Sequence, residues 1–96
     1  MGLEYKIGCH QSPAGLDRRL RSIQGFSEYD QEHGLYHFRS PENQEVARTP
    51  DASAGIETDG IYFNDHGGSR ELVSVVFRRL IDAALAEADE ITVKEL

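Results

Sequence analysis

Two short stretches of the chain combine side chains that are suited to catalysis or ligand binding. In one, Cys9 is followed by His10, and in the other Asp65 is followed by His66 and two glycines. A thiol beside an imidazole is a candidate nucleophile with a base, because the thiolate is the reactive form of cysteine. Cysteine, histidine and aspartate are also zinc ligands. These four residues are therefore the candidate catalytic set, whereas their spacing predicts no specific metal site.

The first stretch lies between a predicted strand and a predicted helix. Apolar and polar residues alternate over 3–9, which is the period of a half-buried strand. Ser12 and Pro13 then suit the N-cap and the first position of a helix, which we predict over 13–24. Cys9 lies on the apolar side of that strand. It is thus either a small core residue or a reactive thiol near a helix amino terminus.

The second helix is the strongest element of the sequence. Residues 69–90 carry apolar residues at helical spacing, and either Gly68 or Ser69 is predicted to cap the helix. Beside the core face runs an adjoining arc, which is wider than a two-layer domain requires. We predict that this arc is an interface with a second copy or another protein, unless the loop from Pro41 covers it. Its residues are Leu72, Val75, Arg79, Ala83 and Ala86.

The remaining pattern predicts a single α+β domain over 1–96. Two strands flank a turn at 32–34, and residues 41–54 form a polar loop. Asp59-Gly60 is either a hairpin turn or a bulge before the strand at 61–63, and a last strand follows near the end. We predict that two helices pack on one face of a small mixed or antiparallel sheet and bury that face. The order of the elements resembles the ferredoxin-like split βαβ arrangement. The resemblance concerns architecture alone and implies no activity.

In such an arrangement the strands ending at Cys9 and near Asn64 are parallel neighbours. Their carboxyl ends would then bring the four candidate catalytic residues to one rim, facing two helix amino termini. Free backbone N–H groups at those termini attract anions, and glycines allow a close approach. The rim is therefore also predicted to bind a small anion through a separate group of residues, namely Ser12, Gly67, Gly68 and Ser69.

Composition excludes several classes of function. The net charge is −7, and residues 27–68 carry nine acidic side chains against two arginines, a field that repels nucleic acid. One cysteine forms no intramolecular disulfide, and no apolar run is long enough for a membrane span, so we expect a cytoplasmic protein. We predict a domain that acts by protein contact or self-association, without catalysis, metal or cofactor. The alternative is an anion-binding domain or an enzyme at the Cys/His/Asp rim.

Overall fold

The described chain forms one antiparallel sheet with helices packed on one of its faces. The computed structural model describes residues 3–9 and 13–96. Within them the strand order in the sheet is β2-β3-β4-β5-β1-β6, and every neighbouring pair is antiparallel. In chain order the elements are β1 (Leu3–Gly8), α1 (Pro13–Arg21), β2 (Phe26–Asp30), β3 (Leu35–Phe38), β4 (Ala52–Glu57), β5 (Gly60–Asp65), α2 (Arg70–Glu87) and β6 (Thr92–Glu95).

The hydrophobic core lies between the two helices and the sheet. Leu16 and Leu20 of α1 and Leu80 of α2 are fully buried in the same cluster as Ile7 and Phe63 of the sheet. Both helices therefore cover the same face, and the predicted α+β class is confirmed. The other sheet face is covered by no helix of the described residues. Neither helix there is long and apolar enough to span a membrane.

The predicted parallel pairing of the two site strands is wrong. β1 is antiparallel to β5, with Leu3 opposite Asp65 and Gly8 opposite Gly60. β6 pairs with the other side of β1, so β5, α2 and β6 form a split βαβ unit with β1 between its strands. The six-strand order does not confirm the ferredoxin-like prediction. Alternation of apolar residues identifies a strand, but it carries no information about which strand lies beside it.

The start of β4 also differs from the prediction. β4 begins at Ala52, although residues 41–54 are predicted as loop, because Ala52, Ser53 and Ala54 are small residues buried in an interior strand. Small side chains there give a weak strand signal. The hairpin alternative at Asp59-Gly60 is confirmed, since Glu57 pairs with Gly60 across a two-residue turn.

We expect Gly60→Ala to destabilise the fold much more than Gly34→Ala. Both glycines have positive φ, +153° and +69°, so both replacements introduce backbone strain of about 1–2 kcal/mol. A Cβ at position 60 would also overlap the carbonyl oxygen of Ile7, whereas at position 34 its nearest neighbour is the Tyr29 hydroxyl at 3.8 Å. Urea unfolding of both variants measures the difference. Equal losses of unfolding free energy in the two variants would show that a methyl group at position 60 fits beside the Ile7 carbonyl.

Candidate functional site

The predicted rim of four catalytic candidates does not form. The Cys9 N–H donates to the Asp59 carbonyl at 2.9 Å, at the opposite end of β1 from Asp65. A strand of six residues separates the two ends by about 20 Å. Cys9 is only 6% exposed and belongs to the core cluster, while His10 lies outside the described residues. Cys9 is thus far from Asp65 and His66, which do share one end of β5.

The amino terminus of α2 is already occupied by carboxylates of this chain. The Ser69 N–H donates to Asp51 Oδ2 at 2.7 Å, and the Gly67 N–H donates to Asp65 Oδ1 at 2.8 Å. The Ser69 hydroxyl caps the helix by accepting from the Leu72 N–H at 3.3 Å. These donors were the predicted anion contacts, together with Gly68 and with Ser12, which lies outside the described residues. The two aspartates take the place expected for a bound anion.

Asp51 connects the long loop to α2. Its carboxylate, 3% exposed, accepts from the Ser40 N–H and from Asn43 Nδ2, both at 2.9 Å, as well as from Ser69. Burial acts to raise the pKa of Asp51, but the hydrogen bonds from Ser69, Ser40 and Asn43 outweigh it and lower the pKa. Gly68 is required here because a Cβ would meet the Asp51 backbone and side chain. Part of the acidic middle of the sequence is therefore internal structure.

A row of polar side chains crosses the helix-free face. Ser53 Oγ lies 2.7 Å from His37 Nδ1 and 3.0 Å from His66 Nε2, so one hydroxyl bridges two imidazoles from β3 and the end of β5. His37 Nε2 lies 3.7 Å from Asp30 Oδ2, which also contacts His33 Nδ1 at 2.7 Å. The three residue types of a serine-protease triad are thus adjacent.

This row is built for structure and not for nucleophilic catalysis. Ser53 is 0% exposed, so its hydroxyl is covered and a substrate carbonyl cannot reach it. The described residues contain no group of three or more metal-ligating side chains with suitable geometry. Burial lowers the pKa of His66, the charge of His37 lowers it further, and Asp65 acts in the opposite direction. His66 therefore resists protonation in the folded chain.

The arc that the sequence assigns to an interface is largely covered within the chain. Leu72 and Ala83 are buried, and α1 packs beside α2 on this side. Gly25, in the turn after α1, approaches Leu72 so closely that a Cβ would be 2.7 Å from Cδ1. Val75 is half-buried beside Pro41, and of the arc only Arg79 and Ala86 are exposed. The covering element is thus mainly α1, which the sequence reasoning did not consider.

The opposite flank of α2 carries apolar residues that nothing in the described chain covers fully. Phe77 contacts Tyr5 of β1, with ring centroids 5.2 Å apart. Ile81 and Leu85 follow at one-turn intervals on the same side of the helix. Ile81 is partly buried, whereas Leu85 is 49% exposed. Helical spacing therefore continues the apolar surface from the core toward the β6 side of the sheet.

Val93 adds an exposed apolar side chain on the same face of the sheet, in the outermost strand. Val93 pairs with Ile7, so its side chain lies on the helix-covered face, yet it is 48% exposed. We call the four residues Phe77, Ile81, Leu85 and Val93 the apolar ledge. The residues of β6 are all exposed, and no other strand of the described chain pairs with its outer side.

The two edges of the sheet differ in their ability to accept another strand. β2 has a register shift between Phe26 and Glu28, and a bulge of this kind disrupts further pairing. β6 pairs with β1 without interruption over Thr92–Glu95. Among the described strands, β6 is therefore the edge with a regular row of outward backbone groups.

Comparison with protein-family models, curated proteins and solved structures finds no match for this chain.

Sequence reasoning missed the polar row and the apolar ledge for different reasons. His37 and Ser53 stand sixteen positions apart, in a hairpin and in a stretch predicted as loop, so no spacing rule connects them. The ledge had a local signal, because Phe77, Ile81 and Leu85 repeat every four residues. The sequence analysis assigned neither Ile81 nor Leu85 to a surface, since the width of an apolar stripe does not reveal which flank of a helix is covered.

We expect acidification to weaken the wild-type fold relative to His66→Gln. The pKa of His66 is lowered from 6.5 in the folded chain, so its contribution is complete above pH 6.5 and is lost as pH falls below it. His33 has the opposite sign, because Asp30 raises its pKa, but it titrates in both proteins. The measurement is the free energy of unfolding from pH 7.5 to 5. If the unfolding free energies of the wild type and His66→Gln changed equally with pH, the role assigned to His66 would be contradicted.

Asp51→Ala is expected to lower the free energy of unfolding by about 3 kcal/mol or more, since three donors lose a charged acceptor. Asp82→Ala is the matched control, because Asp82 is exposed and, among the described residues, its carboxylate forms an ion pair with Arg79 of the same helix at 3.4 Å. Its expected effect is within about 0.5 kcal/mol. Denaturant unfolding measures both. A similar small loss in the two variants would show that Asp51 does not hold the loop to α2.

Proposed function

We propose that this chain is a protein-interaction domain that self-associates through the β6 edge and the apolar ledge. The observation that carries the proposal is the combination of a regular edge strand, on whose outer side no described strand pairs, with exposed apolar side chains on that strand and on the flank of α2 that faces β1. Contiguous exposed apolar surface on a globular domain commonly marks an interface. An edge strand adds backbone hydrogen bonds to that surface, as in β-augmentation. Neither component requires a catalytic group.

A second copy of the chain is the occupant that this surface fits best. Every neighbouring pair of the sheet is antiparallel, and a twofold axis beside β6 would add another antiparallel pair. The same axis would place the apolar ledge of one copy beside that of the other. Each copy would thus cover the apolar residues that the other leaves exposed. A twofold interface of this kind closes on itself and yields a dimer.

Two observations favour self-association over the alternative of an anion-binding or catalytic domain. Two of the backbone donors predicted to bind an anion, the N–H groups of Ser69 and Gly67, are used by Asp51 and Asp65. The Ser53 hydroxyl is fully covered, and Cys9 lies in the core. A cytoplasmic location is part of the proposal, since a lone cysteine forms no intramolecular disulfide.

We expect the wild-type chain to form a concentration-dependent dimer and Val93→Lys to raise its dissociation constant by about tenfold or more. The substitution removes buried apolar area and brings two ammonium groups together at the interface. Sedimentation equilibrium measures the constant. Leu85→Lys tests the helical part of the ledge in the same experiment.

Val46→Lys is the matched control, because Val46 is the most exposed large apolar side chain of the described residues, at 72%, and lies on the long loop away from β6. Its dissociation constant should equal that of the wild type. A strictly monomeric wild type at high concentration would overturn the proposed function, as would equal effects of the Val46 and Val93 substitutions.

A further inference from the structure

The backbone phase of β6 determines which of its groups are available to a partner. The Leu96 N–H donates to the Glu4 carbonyl at 2.8 Å, and Lys94 stands opposite Lys6 in the same register. Hydrogen-bonded and non-bonded pairs alternate along an antiparallel ladder. Thr92 and Lys94 therefore direct their backbone groups toward β1. The N–H and C=O groups of Val93 and Glu95 point outward, away from the sheet.

Only some pairings of two β6 strands keep the ledges together. Directly opposite residues have side chains on the same face, and Val93 faces the helices while Lys94 faces the helix-free side. Any register that pairs Val93 with Lys94 of the other copy puts the helices on opposite faces and separates the ledges. Of the registers that keep all helices on one face, two give the largest strand overlap. One places Val93 opposite Val93 of the other copy, and the other places Lys94 opposite Lys94.

Charge and hydrogen-bond phase distinguish these two registers. Centred on Lys94, the two lysines face each other as a non-bonded pair, whose side chains are closest and whose like charges repel. Centred on Val93, the outward N–H and C=O of each Val93 bond those of the other. Thr92 then stands opposite Lys94 of the second copy, with no like charges opposed over Thr92–Lys94.

We propose that two copies join through β6 as a twofold antiparallel pair centred on Val93, which makes one continuous twelve-stranded sheet with all helices on one side. This inference rests on the proposed self-association. It adds the register, the symmetry and the contact between Thr92 and Lys94. Val93 lies at the twofold axis, so the Val93 side chains of the two copies meet at the centre of the interface.

Opposite charges at position 92 test the register. Thr92→Glu would face Lys94 of the second copy at two symmetric places and should tighten the dimer by about 2- to 30-fold. Thr92→Lys should weaken it by a similar factor. Thr92 Oγ1 lies over Gly8, so both long side chains disturb the same contact within one copy. The pair of variants is therefore matched, and thermal unfolding at low concentration reports whether each monomer is folded.

Lys94→Gln separates the two registers independently of Thr92. In the Val93-centred register Lys94→Gln should change the dissociation constant less than twofold. In the Lys94-centred register it would remove the repulsion between the two lysines and clearly tighten the dimer. Sedimentation equilibrium of wild type and the three variants decides the outcome. Opposite shifts for Thr92→Glu and Thr92→Lys support the proposal. A dimer that responds equally to both, or that tightens with Lys94→Gln, overturns this register but leaves self-association standing, whereas a monomeric wild type overturns both.

Discussion

The antiparallel pairing of β1 between β5 and β6 is the constraint on which the rest of the structure depends. Ile7 stands opposite Ile61 on one side and Val93 on the other, so β1 is an interior strand that joins β6 to the rest of the sheet. Its direction sends Cys9 to the end where β5 begins. Asp65 and His66 lie at the other end, so no site can join them to Cys9. The same insertion pushes β6 outward and makes it the sheet edge.

The buried acidic groups show a second consequence of the fold. Asp51 and Asp65 supply negative charge to the amino terminus of α2, where exposed backbone N–H groups and the helix dipole favour it. An external anion would compete with both. Two of the acidic side chains that give the middle of the sequence its negative charge thus hold the start of the longest helix and tie the polar loop to it. Carboxylates of the chain itself therefore interact favourably with the dipole of α2.

The apolar ledge follows from a mismatch between layer sizes. The two helices pack over the middle strands of a six-stranded sheet, and α2 reaches β1 through Phe77 and Tyr5. No third helix follows in the described chain, so Val93 on β6 lies on the helix-covered face without full cover. A sheet wider than its helical layer exposes apolar side chains at its margin, and a second copy is the simplest way to extend that layer.

Local pattern in the sequence was sufficient for most of the elements and for the fold class, but not for the start of β4. Period-two alternation marked β1, period-3.6 spacing marked α2, and Asp59-Gly60 marked a turn, because each is set by interactions between near neighbours. Only the tertiary structure decided which strands pair, which flank of α2 is covered and that Ser53 joins two histidines. These depend on contacts between residues far apart in the chain. Several pairings satisfy the same local pattern, and the difference in their packing is not written in the spacing of any one segment.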